Sequence, residues 1–217
     1  KRGRPRETDV ILYRVLNKGM LPTKTNFESC LNAWVSAANP VSGQRTELLI
    51  LKMQELYETT KADHLRPDVH CFARVTAAWI NSRHNYAAAR ADTILRMMLT
   101  NNWPPEEAGK LGKALTTTAL QVMKMWSHSM ERDAPEKCHE ILEMIRDRIG
   151  TENMPVDVLQ KVHAATIFAW ARSGRSDLMQ HVQSLTTTLE RELLARGEVS
   201  RHLSVYHALF EAYANAA

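Results

Sequence analysis

The chain is poor in the residues that punctuate a backbone. Eight glycines and eight prolines in 217 residues are too few for an all-β fold with many turns, and they favour long helices. Cysteine is scarce as well. Cys30, Cys71 and Cys138 are three in number and form no CxxC pair; an odd count argues against a disulfide framework and for a reducing compartment. No apolar run approaches the roughly 18 residues that span a bilayer. Net charge is missing where it would matter most. The chain has 28 basic and 24 acidic residues, but Lys1, Arg2, Arg4 and Arg6 lie in the first six positions with no acid among them, which leaves 24 of each sign in residues 7–217. The pI of about 9.0 therefore belongs to a basic tail over residues 1–6. A neutral body does not by itself argue for phosphate binding.

Chemistry-bearing motifs are also absent. His139-Glu140-Ile141-Leu142-Glu143 resembles a zinc-protease helix but lacks the second histidine, so a ligand is missing. Gly109-Lys110-Leu111-Gly112-Lys113 has the wrong glycine spacing and no hydroxyl for a phosphate-binding loop. No Ser/His/Asp frame is visible. The reading expects no enzyme, no metal and no cofactor.

What is present is a repeated frame. Pro67 to Trp79 reads PDVHCFARVTAAW, and 45 residues upstream Pro22 to Trp34 reads PTKTNFESCLNAW. The proline, the aromatic (Phe27, Phe72) and the tryptophan recur in register. Trp126 follows Trp79 by 47 residues, Trp170 follows Trp126 by 44, and Tyr213 follows Trp170 by 43, with Tyr206 seven before it as Phe27 is before Trp34. A period of 43 to 47 residues signals an array of structural repeats. Each repeat reads as a leading helix carrying the tryptophan and a second helix carrying Ile-Leu-x-Met: Ile50 to Met53, Ile94 to Met97, Ile141 to Met144, decayed to Leu185 to Thr188 in the last.

Periodicity places leading helices over Lys24–Ala37, Asp68–Asn81, Ala114–Ser129, Val156–Arg172 and Ser200–Ala214, and second helices over Thr8–Lys18, Thr46–Thr60, Ala87–Leu99, Asp133–Ile149 and Ser176–Ala195. Gly43 reads as part of a break between helices, and Asp133 with Glu136 as a capping box. About nine residues are inserted around Trp103-Pro104-Pro105, with a short extra turn expected at 106–112. A two-helix unit cannot bury its apolar face alone, so Trp34, Trp79, Trp126 and Trp170 are expected to be buried at equivalent places, with Ile-Leu-x-Met as the facing surface and Trp103 in a loop. The last helix is expected to expose Leu203, Tyr206, Leu209, Phe210 and Tyr213. The start at Lys1 reads as a fragment or mature form, so a targeting peptide upstream is possible.

The frame Pro-Asp-Val, then an aromatic, then Ala-Trp, then Ser-Gly, then a helix with Ile-Leu-x-Met resembles the pentatricopeptide repeat family. Leu65-Arg66-Pro67-Asp68-Val69 is similar to that family's junction between repeats, and Ala169-Trp170-Ala171-Arg172-Ser173-Gly174 to its leading-helix exit. The likeness covers Asp9 to Ala214, with a longer period than the roughly 35 residues of that family. It implies an all-α, right-handed superhelix (an α-solenoid) forming one array over residues 7–217, in a mitochondrion or plastid, as part of a longer chain or larger complex. It also implies a groove along the leading helices that binds single-stranded RNA, one base per repeat. The implied base-reading positions are Glu28, Ala73, Leu120, Ala164 and His207, with Asp68 assisting; His70, Lys124, Lys161 and Glu211 are further groove candidates. The family's Asn, Ser or Thr readers are not at these positions. A protein-interaction scaffold, such as a structural subunit of an organellar ribosome or other large organellar complex, is the alternative.

Overall fold

In the computed structural model the described residues are 4–104, 108–129 and 131–216. They are all-α: ten α-helices, with no strand among the described residues. In chain order the helices are α1 (Pro5–Asn17), α2 (Lys24–Ala37), α3 (Ser42–Thr60), α4 (Val69–Ser82), α5 (Ala87–Thr100), α6 (Ala108–His128), α7 (Ala134–Ile149), α8 (Val156–Ala171), α9 (Leu178–Ala195) and α10 (Leu203–Asn215). No described helix is long and apolar enough to cross a membrane. The chain divides into two compact units, one ending at Thr118 and the other beginning at Ala119.

In the first unit α2 packs on α1, α3 and α4, and α4 packs on α2, α3 and α5. Local chemistry sets the ends of these helices. Thr23 caps α2 in a capping box with Asn26: Thr23 Oγ1 accepts from Asn26 N at 3.3 Å and Asn26 Oδ1 accepts from Thr23 N at 2.8 Å. Asp68 caps α4 by accepting from Cys71 N at 2.9 Å. α1 begins at Pro5, inside the stretch read as a tail, because proline is pre-set for the first helical turn. In the second unit α8 packs on α7, α9 and α10. Here Asp133 forms no capping box; its carboxylate is taken by Lys137, one turn on, at 2.9 Å.

The four recurring tryptophans are buried, each at 3% exposure or less, and each lies in a leading helix (α2, α4, α6, α8). Trp103 lies outside any helix, half-buried, edge-on to Phe72 at 5.7 Å between ring centroids. The Ile-Leu-x-Met signature is not one inward face. Leu51 is 63% exposed and Met97 53%, while the buried sets are Leu49, Ile50 and Met53 in α3, Ile94, Leu95, Met98 and Leu99 in α5, and Ile141, Leu142 and Ile145 in α7. A helical face recurs at three and four residues, so adjacent members of a four-residue run cannot all point the same way. Gly43 is not a break. It lies inside α3, buried. The turn expected at 106–112 falls partly outside the described residues; from Ala108 the chain is already in α6.

α10 buries Val205, Ala208 and Ala212 and leaves Leu203, Tyr206, Phe210 and Tyr213 44 to 73% exposed; Leu209 is half-buried. The expected exposed face is therefore present, with Leu209 at its edge.

Candidate binding surface

The leading-helix face of the first unit carries the first of the implied base-reading residues, and its charges are already paired across the helices. Glu28 in α2 accepts from Arg74 Nη1 in α4 at 3.3 Å, and the same guanidinium donates from Nε to Asn32 Oδ1 at 2.9 Å. Lys24 Nζ in α2 donates to Asp68 Oδ2 at 2.6 Å. Burial would raise the Asp68 carboxyl, but the hydrogen bonds from Lys24 and Cys71 outweigh it and hold it below its ordinary value. Burial, reinforced by that carboxylate, pushes the Cys71 thiol up to about 12, so this cysteine stays protonated and inert. Asn81 Nδ2 adds a bond to Val35 O at 3.3 Å. Ala73 is half-buried on α4, and His70 on the same helix is exposed.

The remaining positions are dispersed. In α6 Leu120 is half-buried and Lys124 exposed; in α8 Lys161 pairs with Asp157 at 3.0 Å and Ala164 is 3% exposed; in α10 His207 and Glu211 are exposed. The structure thus pairs Glu28 with Arg74 and Asp68 with Lys24, each across α2 and α4. It buries Ala164, and it leaves His70, Lys124 and His207 open to solvent.

A second constellation surrounds the tryptophans, and its signal in the sequence is a constant spacing. Eleven residues after each recurring tryptophan stands a basic or imidazole side chain: Arg45, Arg90, Lys137 and His181. Each lies early in the following second helix. Lys137 Nζ sits 4.0 Å from the centroid of Trp126, a cation–π contact. His181 stacks on Trp170 with centroids 3.6 Å apart and planes 9° from parallel. Arg90 closes a three-part rung: Trp79 Nε1 donates to Glu47 Oε1 of α3 at 2.7 Å, and Arg90 of α5 donates to the same carboxylate at 2.7 and 3.2 Å. The rung ties leading helix α4 to the second helices on both sides of it.

At the preceding tryptophan the rung is open. Trp34 Nε1 donates to both carboxylate oxygens of Asp9 in α1 at 3.0 Å. Arg45, at the place of Arg90, makes no ion pair with Asp9 among the described residues, and burial holds the Asp9 carboxyl above its ordinary value despite the Trp34 bond and the Arg45 charge. Aspartate is one methylene shorter than glutamate, so it reaches less far toward the next helix. α1 and α3 flank a cleft of about 910 Å³, lined by Arg6, Val10, Tyr13 and Arg14 on one side and Val41, Arg45 and Leu48 on the other, with Trp34 among its walls. A smaller cleft of about 510 Å³ lies between α3 and α5, lined by Leu51, Gln54, Met97 and Trp103.

No group of three or more His, Cys, Asp or Glu side chains placed to hold a metal occurs among the described residues. Comparison with protein-family models, with curated proteins and with solved structures gives no match.

Proposed function

We propose that this chain is a non-catalytic segment of a pentatricopeptide-type right-handed α-solenoid that serves as a protein-interaction scaffold within a larger organellar assembly. The observation that carries the reading is the self-paired leading-helix face: Lys24 with Asp68 and Arg74 with Glu28 spend the cations that a phosphate backbone would need. An electrostatically satisfied face releases few counterions on binding RNA. Aliphatic side chains are exposed elsewhere, among them Val10, Val41, Leu48 and Leu51 along the clefts between second helices, where the chemistry suits protein.

A second reading, single-stranded RNA binding, draws on the resemblance and on the exposed His70, Lys124 and His207 of the leading helices. The two are separated by filter binding of oligo(U), oligo(A) and random RNA at two salt concentrations. Because α1 starts at Pro5, the basic tail is tested by the variant Lys1→Ser/Arg2→Ser/Arg4→Ser rather than by truncation. The scaffold reading expects weak binding, no base preference, a shallow salt slope, and loss of most binding in the variant. Tight, sequence-selective binding that survives in the variant overturns it in favour of base reading.

A further inference from the structure

The cleft between α1 and α3 is an incomplete version of the rung next to it. At Trp79 the carboxylate of one second helix and the arginine of the next meet; at Trp34 they do not. The consequence is that Arg45 is exposed without an ion pair, and Arg6 and Arg14 on the facing wall are likewise exposed without one among the described residues. Asp9, the acid in the cleft, is held by the Trp34 indole. The same walls expose aliphatic side chains, with Val10 48% exposed, Val41 43% and Leu48 52%, beside Tyr13, Asn17 and Gln44. The cleft thus combines exposed aliphatic side chains with three arginines against a single carboxylate, that of Asp9. Its α1 wall is 13 residues long, about 20 Å at the rise of an α-helix, which matches three to four turns of a docked helix.

We infer that this cleft binds an acidic amphipathic helix of a partner protein, the aliphatic residues of that helix contacting Val10, Val41 and Leu48 and its carboxylates pairing with Arg6, Arg14 and Arg45. This rests on the scaffold reading and specifies its partner. A helix laid in a groove through anchors three and four residues apart is a recurrent recognition mode, and arginine is suited to bidentate pairing with carboxylates in such a cleft. Single-stranded nucleic acid fits less well. Strand binders need successive aromatic platforms, and Tyr13 is the one aromatic on these walls besides Trp34, whose indole nitrogen is occupied.

The test is selection of a displayed library of randomised helical peptides on the whole chain, followed by affinity measurement of the enriched peptides against variants and in competition with an oligo(U) 20-mer. The expected result is enrichment of sequences with aliphatic residues at helical spacing flanked by Asp and Glu, at least a tenfold loss of affinity in Arg6→Ala/Arg14→Ala and in Leu48→Ser, no loss in Arg132→Ala, and no displacement by oligo(U). The variants lie at exposed positions, so unchanged thermal unfolding separates lost binding from lost fold. Enriched peptides that are neutral or basic, affinity indifferent to these variants, or displacement by oligo(U) overturns the inference. If partner proteins are recovered by crosslinking elsewhere on the chain while this cleft selects nothing, the scaffold reading stands and the assignment of the cleft falls.

Discussion

Replacing Gly43 by alanine is expected to destabilise the protein, against the usual sign for a helix. Gly→Ala inside a helix ordinarily gains up to about 1 kcal/mol, since glycine loses the most backbone freedom on folding. Gly43 has an ordinary helical backbone, so nothing in its dihedral angles opposes the change. Its surroundings do. A Cβ at this position would fall 2.6 Å from Cε2 and Cε3 of the Trp79 indole and closer still to Cδ2. Trp79 is 3% exposed and its Nε1 is fixed by Glu47 at 2.7 Å, so the ring cannot swing aside without breaking the rung. Overpacking of this kind costs about 1–3 kcal/mol, which exceeds the propensity gain. The assay is urea unfolding of the single variant and of a double-mutant cycle with Trp79→Leu. The single variant should lose about 1–2 kcal/mol, and in the Trp79→Leu background the same change should be neutral or stabilising, a coupling of at least about 1 kcal/mol. A stabilised Gly43→Ala, or a cycle with no coupling, would refute the close approach of α3 to Trp79.

Three further outcomes are expected. Lys61 ends α3 in the left-handed region with φ of 53°, so Lys61→Gly should stabilise by roughly 0.5–1 kcal/mol; a loss of stability in urea unfolding contradicts the cap geometry. His163 is fully buried, donates Nδ1–H to Leu159 O at 3.0 Å and has its pKa lowered by burial to about 4; its native state takes up a proton later than the unfolded chain, so stability from this group is full above pH 6.5 and falls by about 3 kcal/mol on acidification to pH 4. Glu192, raised by burial beside it, acts in the opposite sense on acidification, so His163→Gln should abolish the loss below pH 6.5 and leave the opposing Glu192 contribution; an unchanged profile counts against the buried neutral imidazole. On α10, Leu203→Ser/Phe210→Ser should lower the binding of an apolar fluorescent dye while costing less than about 0.5 kcal/mol, as surface changes do; a loss above 2 kcal/mol would mean that the face is covered.

The helices were legible because large buried side chains recur at fixed spacing, and Lys24–Ala37 falls where the sequence places it. Trp34, Trp79, Trp126 and Trp170 were read as core from spacing alone, and they are. Side-chain direction was less legible. Ile-Leu-x-Met looks like one motif, but its four residues cover more than a helix face, and only the neighbours in space decide that Met53 is buried and Met97 exposed. Gly43 reads as a breaker in one dimension and is a contact for Trp79 in three. The basic or imidazole residues eleven after each tryptophan were visible in the sequence, yet whether Arg45 and Arg90 close a rung depends on a carboxylate at variable distance, 25 residues before Trp34 and 32 before Trp79, which no fixed-spacing motif captures. Of the positions implied to contact RNA, Glu28 and Asp68 acquire their partners from α4 and α2 respectively, a pairing set by helix packing.

The most direct measurement is ultraviolet and chemical crosslinking of the protein at native abundance in its own cells, with the recovered partners resolved into RNA and protein. The scaffold account predicts protein partners with crosslinks mapping to α1 and α3, and RNA recovery no higher than in a control with the exposed His70, Lys124 and His207 of the leading helices replaced. Recovery of a defined RNA, crosslinked through α2, α4 or α10, would contradict it.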